Sequence, residues 1–259
     1  MRNLLLFLFV ISIFLFSDCS GCSKSGRDSQ RTRTTNNNNY TENENPERKS
    51  REITIDTEKE DGYDLPKRRN SENRPKLSVT EVVKIAEPAV FLVNTFDKSG
   101  NGLGMGTGFF IESSGVGVSN YHVFKGGSQW TIQTSNQKQY NVGEIIESSE
   151  ELDYIIFRIE GNQKFPKLEI ATTRPEKGED IIVLGNPKGL ESTLTRGIIS
   201  SIRSIEANDN ALLQIDAAIS PGSSGSPVMN MKGEVVGIAT MKVQECENCN
   251  FAMNIEVLD

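Results

Sequence analysis

Asp216-Ala217-Ala218-Ile219-Ser220-Pro221-Gly222-Ser223-Ser224-Gly225-Ser226-Pro227 follows the apolar run Leu212–Ile215 and leads into the short strand-like run Pro227–Met229. A hydroxyl set between glycines and bounded by two prolines is what a nucleophile loop requires. Gly222 and Gly225 open backbone angles closed to other residues, so that amide N–H groups can converge on one point. Pro221 and Pro227 stiffen the ends of the turn. With Ser224 as nucleophile, the N–H groups of Gly222 and Ser224 are the candidate oxyanion hole, with Ser223 between them in the same loop. The competing reading is an ordinary Gly/Ser/Pro surface turn.

A serine hydroxyl is a weak nucleophile without a general base, and the chain has one histidine, His122. It lies in Val118-Ser119-Asn120-Tyr121-His122-Val123-Phe124, a strand-like segment in which a lone histidine would otherwise read as core. A carboxylate must orient the imidazole and stabilise its protonated form. Asp153, at the mouth of the apolar run Tyr154–Ile159, fits that role. Its rival Asp216 lies only eight residues before Ser224 on the same segment, a poor position from which to reach the far side of the ring.

The cadence of short apolar runs separated by Gly/Asn/Ser turns continues outward from this loop. Runs at Ala89–Thr95, Gly108–Ile111, Val116–Asn120, Trp130–Thr134, Tyr140–Ile146 and Tyr154–Ile159 precede it. Ile181–Leu184, Gly197–Ile202 and Leu212–Ile215 lead up to it, and Pro227–Met229, Val235–Thr240 and Phe251–Asn254 follow. This pattern predicts an all-β barrel protein, and the spacing leaves one barrel or two open. A single helix is expected over Thr80–Glu87, ended by Pro88.

The order His122, Asp153, Ser224 is that of the chymotrypsin type. Around it, Gly104-Met105-Gly106-Thr107-Gly108-Phe109-Phe110, Ser119-Asn120-Tyr121-His122-Val123, Leu184-Gly185-Asn186-Pro187, Thr195-Arg196-Gly197-Ile198-Ile199-Ser200 and Gln214–Gly225 stand in sequence. Together they resemble the HtrA (DegP/DegS-like) branch of the trypsin-like serine peptidases, from about Leu77 to Asp259. The family's Asn before the nucleophile and Gly-Gly after it are here Ser223 and Gly225-Ser226. The resemblance implies two six-stranded antiparallel β-barrels, about 77–165 and about 176–259, with His122 and Asp153 on the first and Ser224 on the second. It implies a serine endopeptidase acting on unfolded or extended polypeptide, with no cofactor and no metal, and an expected homotrimer. Ile219, Ile238, Ala239, Thr240 and Met241 would line the first substrate pocket. Ala218 stands where relatives preferring basic residues carry an acid, so small or medium aliphatic side chains are expected at the cleaved residue. The alternative is a catalytically silent peptidase-like scaffold that binds peptides in the cleft. No PDZ domain is expected, and a role in protein quality control follows from the family.

At the N-terminus, thirteen apolar or small residues, Leu4–Phe16, have the dimensions of a signal-peptide core, short of the ~20 residues of a membrane span. Cys19 and Cys22 follow at once, so residues 1–22 read as a signal peptide or a lipoprotein signal and anchor, with Cys22 or Cys19 the candidate lipidation site. Export to the cell envelope, with a lipid tether to the membrane, is the favoured expectation. Residues 23–76 carry thirteen Lys/Arg against eleven Asp/Glu and almost no large apolar groups, so they read as a disordered polar linker. Interleaved charges and a formal net charge of −7 give no basic stripe and no case for nucleic acid. Cys246 and Cys249 lie more than two hundred residues from the first cysteine pair, so a candidate local disulfide is favoured over zinc.

Overall fold

The computed structural model describes residues 66, 73–185, 193–205, 208–242 and 250–258, with the side chains of 208–210 and 241–242 outside that description. The expected signal and linker, including Cys19 and Cys22, and the Cys246–Cys249 pair lie outside the described residues.

The helix α1 (Val79–Ala86) begins one residue before the expected Thr80 and ends one before the expected Glu87. Ser78 is the cap: its Oγ accepts from Glu81 N–H at 3.3 Å, and Glu81 Oε2 accepts from Ser78 N–H at 2.8 Å. Pro88 turns the chain into a short 3-10 segment, Glu87–Ala89, and Val82 and Ala86 bury the inner face.

Strands β1 (Val90–Phe96), β2 (Gly102–Phe110), β3 (Val116–Ser119), β4 (Gln129–Thr134), β5 (Gln139–Ser149) and β6 (Tyr154–Ile159) follow. They close into an antiparallel barrel in the order β1-β2-β3-β6-β5-β4. Its interior is aromatic: Phe91 meets Phe110 and Phe157 at ring-centroid distances of 4.5 and 6.0 Å. Glycine makes the room, since a Cβ on Gly108 or Gly117 would come within 2.4 or 2.9 Å of the Phe91 ring.

After the two-residue β7 (Glu169–Ile170) come β8 (Asp180–Gly185), β9 (Thr193–Ile205), β10 (Asn208–Ile215), β11 (Pro227–Asn230), β12 (Glu234–Lys242) and β13 (Asn250–Asn254). The sheet runs β11-β8-β9-β10-β13-β12-β7, and the pairing of β11 with β12 closes its six long strands into a second barrel. β7 joins β12 in parallel, outside the ring. Here the core is aliphatic, built on Ile181, Val183, Ile199, Leu213, Ile215, Val228 and Val236. Between the barrels a third cluster includes Phe109, Val118 and Ile156 of the first and Ile182, Leu184, Met229 and Ile238 of the second, together with Val82 of α1. Burial of this apolar seam holds the facing ends of β2, β3 and β6 against β8, β11 and β12. Among the described residues, no helix is long and apolar enough to cross a membrane.

Candidate active site

His122 lies on a single helical turn, α2 (Tyr121–Phe124), entered from extended Asn120. Sequence reading continues the strand through this point. The backbone turns because Val123 and Phe124 must both go inward, Phe124 packing on Trp130 and Phe157. That leaves the imidazole pointing out, with 47% of its side chain exposed.

Asp153 arrives from the turn between β5 and β6 with φ 48°, a left-handed backbone that Asp adopts more readily than most residues. Fully buried Asn120 steadies it, donating Nδ2 to the Asp153 carbonyl at 2.8 Å. The carboxylate accepts the His122 backbone N–H at 3.0 Å and faces the ring Nδ1 at 3.0 Å through Oδ1 and 2.8 Å through Oδ2. A carboxylate at Nδ1 selects the neutral tautomer protonated there and leaves Nε2 with its lone pair outward. Thr240, nearly buried on β12, donates Oγ1 to Asp153 Oδ2 at 2.5 Å. This contact ties the second barrel to the first-barrel pair. Thr240 was expected only as pocket lining; a hydroxyl in a Val/Ile/Ala-rich strand carries no sequence signal of a distant acid.

Ser224 stands on the other side of Thr240. Its hydroxyl donates to the Thr240 carbonyl at 3.2 Å rather than to His122. His122, Asp153, Thr240 and Ser224 thus form a continuous run of contacts. Two successive tight turns carry it. Ser223 N–H closes on Ser220 O at 2.9 Å with Pro221 and Gly222 (φ 96°) at the corners, the residues a type II turn demands. Ser226 N–H closes on Ser223 O at 3.0 Å, with Gly225 at φ 86°. A Cβ on Gly225 would lie 2.0 Å from the Thr107 carbonyl oxygen, so only glycine fits.

The turns sort the amides. Ser223 N–H, of the expected oxyanion-hole residues, is closed onto Ser220 O, whereas Gly222 N–H and Ser224 N–H meet no acceptor among the described residues. Of the expected pocket residues, Ile238 and Ala239 are fully buried, and Ile219 and Thr240 are 7% and 4% exposed. Ile238 belongs to the seam between the barrels. Ala239 exchanges backbone hydrogen bonds with the loop, accepting from Gly225 N–H and donating to Ser226 O, each at 2.8 Å. Ala239 thus holds the loop, and Ile238 packs in the seam. The Met241 side chain lies outside the described residues. Asp216, the rival acid, accepts Ile198 N–H at 2.6 Å within the second barrel. Among the described residues, no group of His, Cys, Asp and Glu could hold a metal ion.

The family model for the trypsin-like peptidase domain matches residues 106–238. The chain is 30% identical over 177 residues to "Serine protease HTRA1" of Xenopus laevis, covering 64% of this chain and 38% of that one. It is 35% identical over 138 residues to "Probable periplasmic serine endoprotease DegP-like" of Rhizobium meliloti, covering 52% of this chain and 27% of that one. The crystal structure of the serine endoprotease from Yersinia pestis superposes with a TM-score of 0.61 at 28% identity, over 71% of this chain and 64% of that one. The chain spans less than half the length of these two curated relatives. Half of the chain, from within β2 to within β12 and with His122, Asp153 and the loop around Ser224, falls inside the family match, and the chain belongs to the trypsin-like peptidase domain family, with HtrA- and DegP-like serine proteases as its relatives.

Proposed function

We propose that this protein is a serine endopeptidase of the HtrA-like type that cleaves unfolded or extended polypeptide through a Ser224–His122–Asp153 triad. The observation that carries this reading is the held His122–Asp153 pair bridged through Thr240 to the serine of a glycine-cornered loop. Ser224 Oγ turns from the Thr240 carbonyl to the scissile carbonyl and passes its proton to His122 Nε2 as the Oγ–C bond forms. Asp153 keeps Nδ1–H in place and stabilises the imidazolium. The oxyanion is received by the two open amides, Gly222 and Ser224. The C–N bond then breaks as the imidazolium protonates the leaving amine. Water, activated by the same histidine, hydrolyses the acyl-enzyme and restores the serine. No step calls for a metal or cofactor.

The cleaved residue's side chain would sit beside Ala218 and Ile219, favouring Val, Ile or Ala, and the substrate backbone would add along β12. The DegP-like relative is named periplasmic. Together with the apolar Leu4–Phe16 stretch, this supports export to the envelope, with Cys22 or Cys19 lipidated as the tether. A trimer and a Cys246–Cys249 disulfide belong to the same proposal. The test is digestion of reduced, unfolded casein by the wild-type chain and by Ser224→Ala, with the cut sites read by mass spectrometry. Cuts after small aliphatic residues that vanish in the variant are expected. A folded wild type that binds casein without cutting it would replace the enzyme with a binding scaffold.

A further inference from the structure

The nucleophile loop is a series of rigid peptide planes, and only some of them are held. The plane between Gly222 and Ser223 is fixed at both ends: Ser223 N–H by Ser220 O at 2.9 Å, and Gly222 O by the hydroxyl of Thr107 at 2.7 Å. The plane between Ser224 and Gly225 is fixed likewise, Gly225 N–H by Ala239 O and Ser224 O by the Thr107 backbone N–H, each at 2.8 Å. The two open amides, Gly222 N–H and Ser224 N–H, lie on the alternate planes, the second of them held only at its carbonyl, where Ser223 O accepts from Ser226 N–H at 3.0 Å. One first-barrel residue therefore grips both of the planes that are held at each end in a second-barrel loop.

Thr107 is well built for this. It is fully buried on β2, paired with Leu92 of β1, and its own carbonyl accepts the Ser119 hydroxyl at 2.6 Å. Its β-branched side chain has few rotamers, so the hydroxyl is aimed in advance. Gly222 has no side chain to restrict its torsions. Its carbonyl, and with it the setting of the adjacent amide, is fixed by hydrogen bonds alone.

Resting on the peptidase reading above, we propose that Thr107 is a positioning residue for the oxyanion hole: its hydroxyl locks the Gly222 carbonyl so that the Gly222 and Ser224 amides converge on one oxygen. The inter-barrel contact then has a catalytic consequence, because loss of the Thr107 hydroxyl would loosen the hole while leaving the His122–Asp153–Thr240 contacts in place.

The test compares full-length wild type, Thr107→Val and Thr107→Ser by three readings: casein cleavage per titrated active site, the rate of fluorophosphonate labelling, and amide exchange across residues 216–227. Valine keeps the shape and loses the donor; serine keeps the donor. For Thr107→Val the expected result is a fall of about tenfold to hundredfold in kcat and in labelling rate, with KM within about twofold. Faster exchange of the loop amides should accompany it, and Thr107→Ser should recover most of each. Thr107→Val with wild-type kcat per active site and wild-type exchange would overturn the proposal. So would a loss that serine fails to rescue. A wild type that takes no label contradicts the peptidase reading instead, and the exchange comparison then decides alone: unchanged exchange in Thr107→Val still overturns the lock, and serine-rescued acceleration still supports it.

Discussion

The carboxylate of Asp153 has both oxygens engaged, Oδ1 by the His122 backbone and ring and Oδ2 by the ring and Thr240. An amide in its place cannot accept at every one of these contacts, and its N–H₂ group would meet either Thr240 Oγ1–H or Nδ1–H. Asp153→Asn should therefore leave the fold and the casein KM near wild type, invert the imidazole tautomer, and lower kcat by about 10⁴-fold. Steady-state cleavage beside a thermal melt checks this, and a variant within tenfold of wild type would remove Asp153 from the triad. At this scale the sequence pointed to Asp153, His122 and Ser224, because each residue type is what the proposed chemistry demands and sits in a distinctive local context. It hid Thr107, Thr240 and Asn120, whose polar atoms act only through partners dozens of residues away.

Among the elements, β1 shows how a pattern becomes packing. Phe91 is 1% exposed, and Gly108 on β2 and Gly117 on β3 lack the side chains that would strike its ring. Phe91→Ala should cost about 3–5 kcal/mol, read as a lowered urea midpoint, since the backbone around two glycines has little to collapse into the gap. Glu179, just before β8, gives a pH signature. Partial burial raises its pKa above the usual carboxylate value, opposed by the N–H of Glu176 and by Lys232 and Lys76 and assisted by the charge of Glu176. A raised folded-state pKa means the folded chain holds this proton where the unfolded chain has released it, so stability falls as pH rises from the unfolded value through the folded one. Glu179→Gln should flatten that part of the curve, measured as thermal midpoint against pH. A variant with the wild-type slope would refute it. The twelve long strands were readable from runs of Val, Ile and Phe between turn residues. β7 was not, because two residues carry no period. The exposed first half of β2, Gly102-Leu103-Gly104-Met105, was not either, since glycines have low β-propensity and only pairing with β1 makes this a strand. The turn bearing His122 has β-favouring residues throughout, and inward packing of Val123 and Phe124 overrode them.

For the whole molecule, the two barrels differ in filling, aromatic in the first and aliphatic in the second, and meet along a third apolar cluster. That the fold has two barrels could not be read from strand spacing and came from resemblance, because closure depends on pairings such as β1 with β4 and β11 with β12. In the proposed mechanism the two barrels divide the labour: His122 and Asp153 on one, Ser224 and the open amides on the other, with Thr107 and Thr240 bridging. In that mechanism this assembly activates Ser224. Its most direct test is intact-mass analysis of the full-length protein after a fluorophosphonate probe, beside His122→Ala and Ser224→Ala. One adduct per wild-type chain, mapped to Ser224, is expected, with no adduct on Ser224→Ala and slowing by several orders of magnitude in His122→Ala. A folded wild type that stays unmodified, or one labelled equally fast without His122, would contradict it.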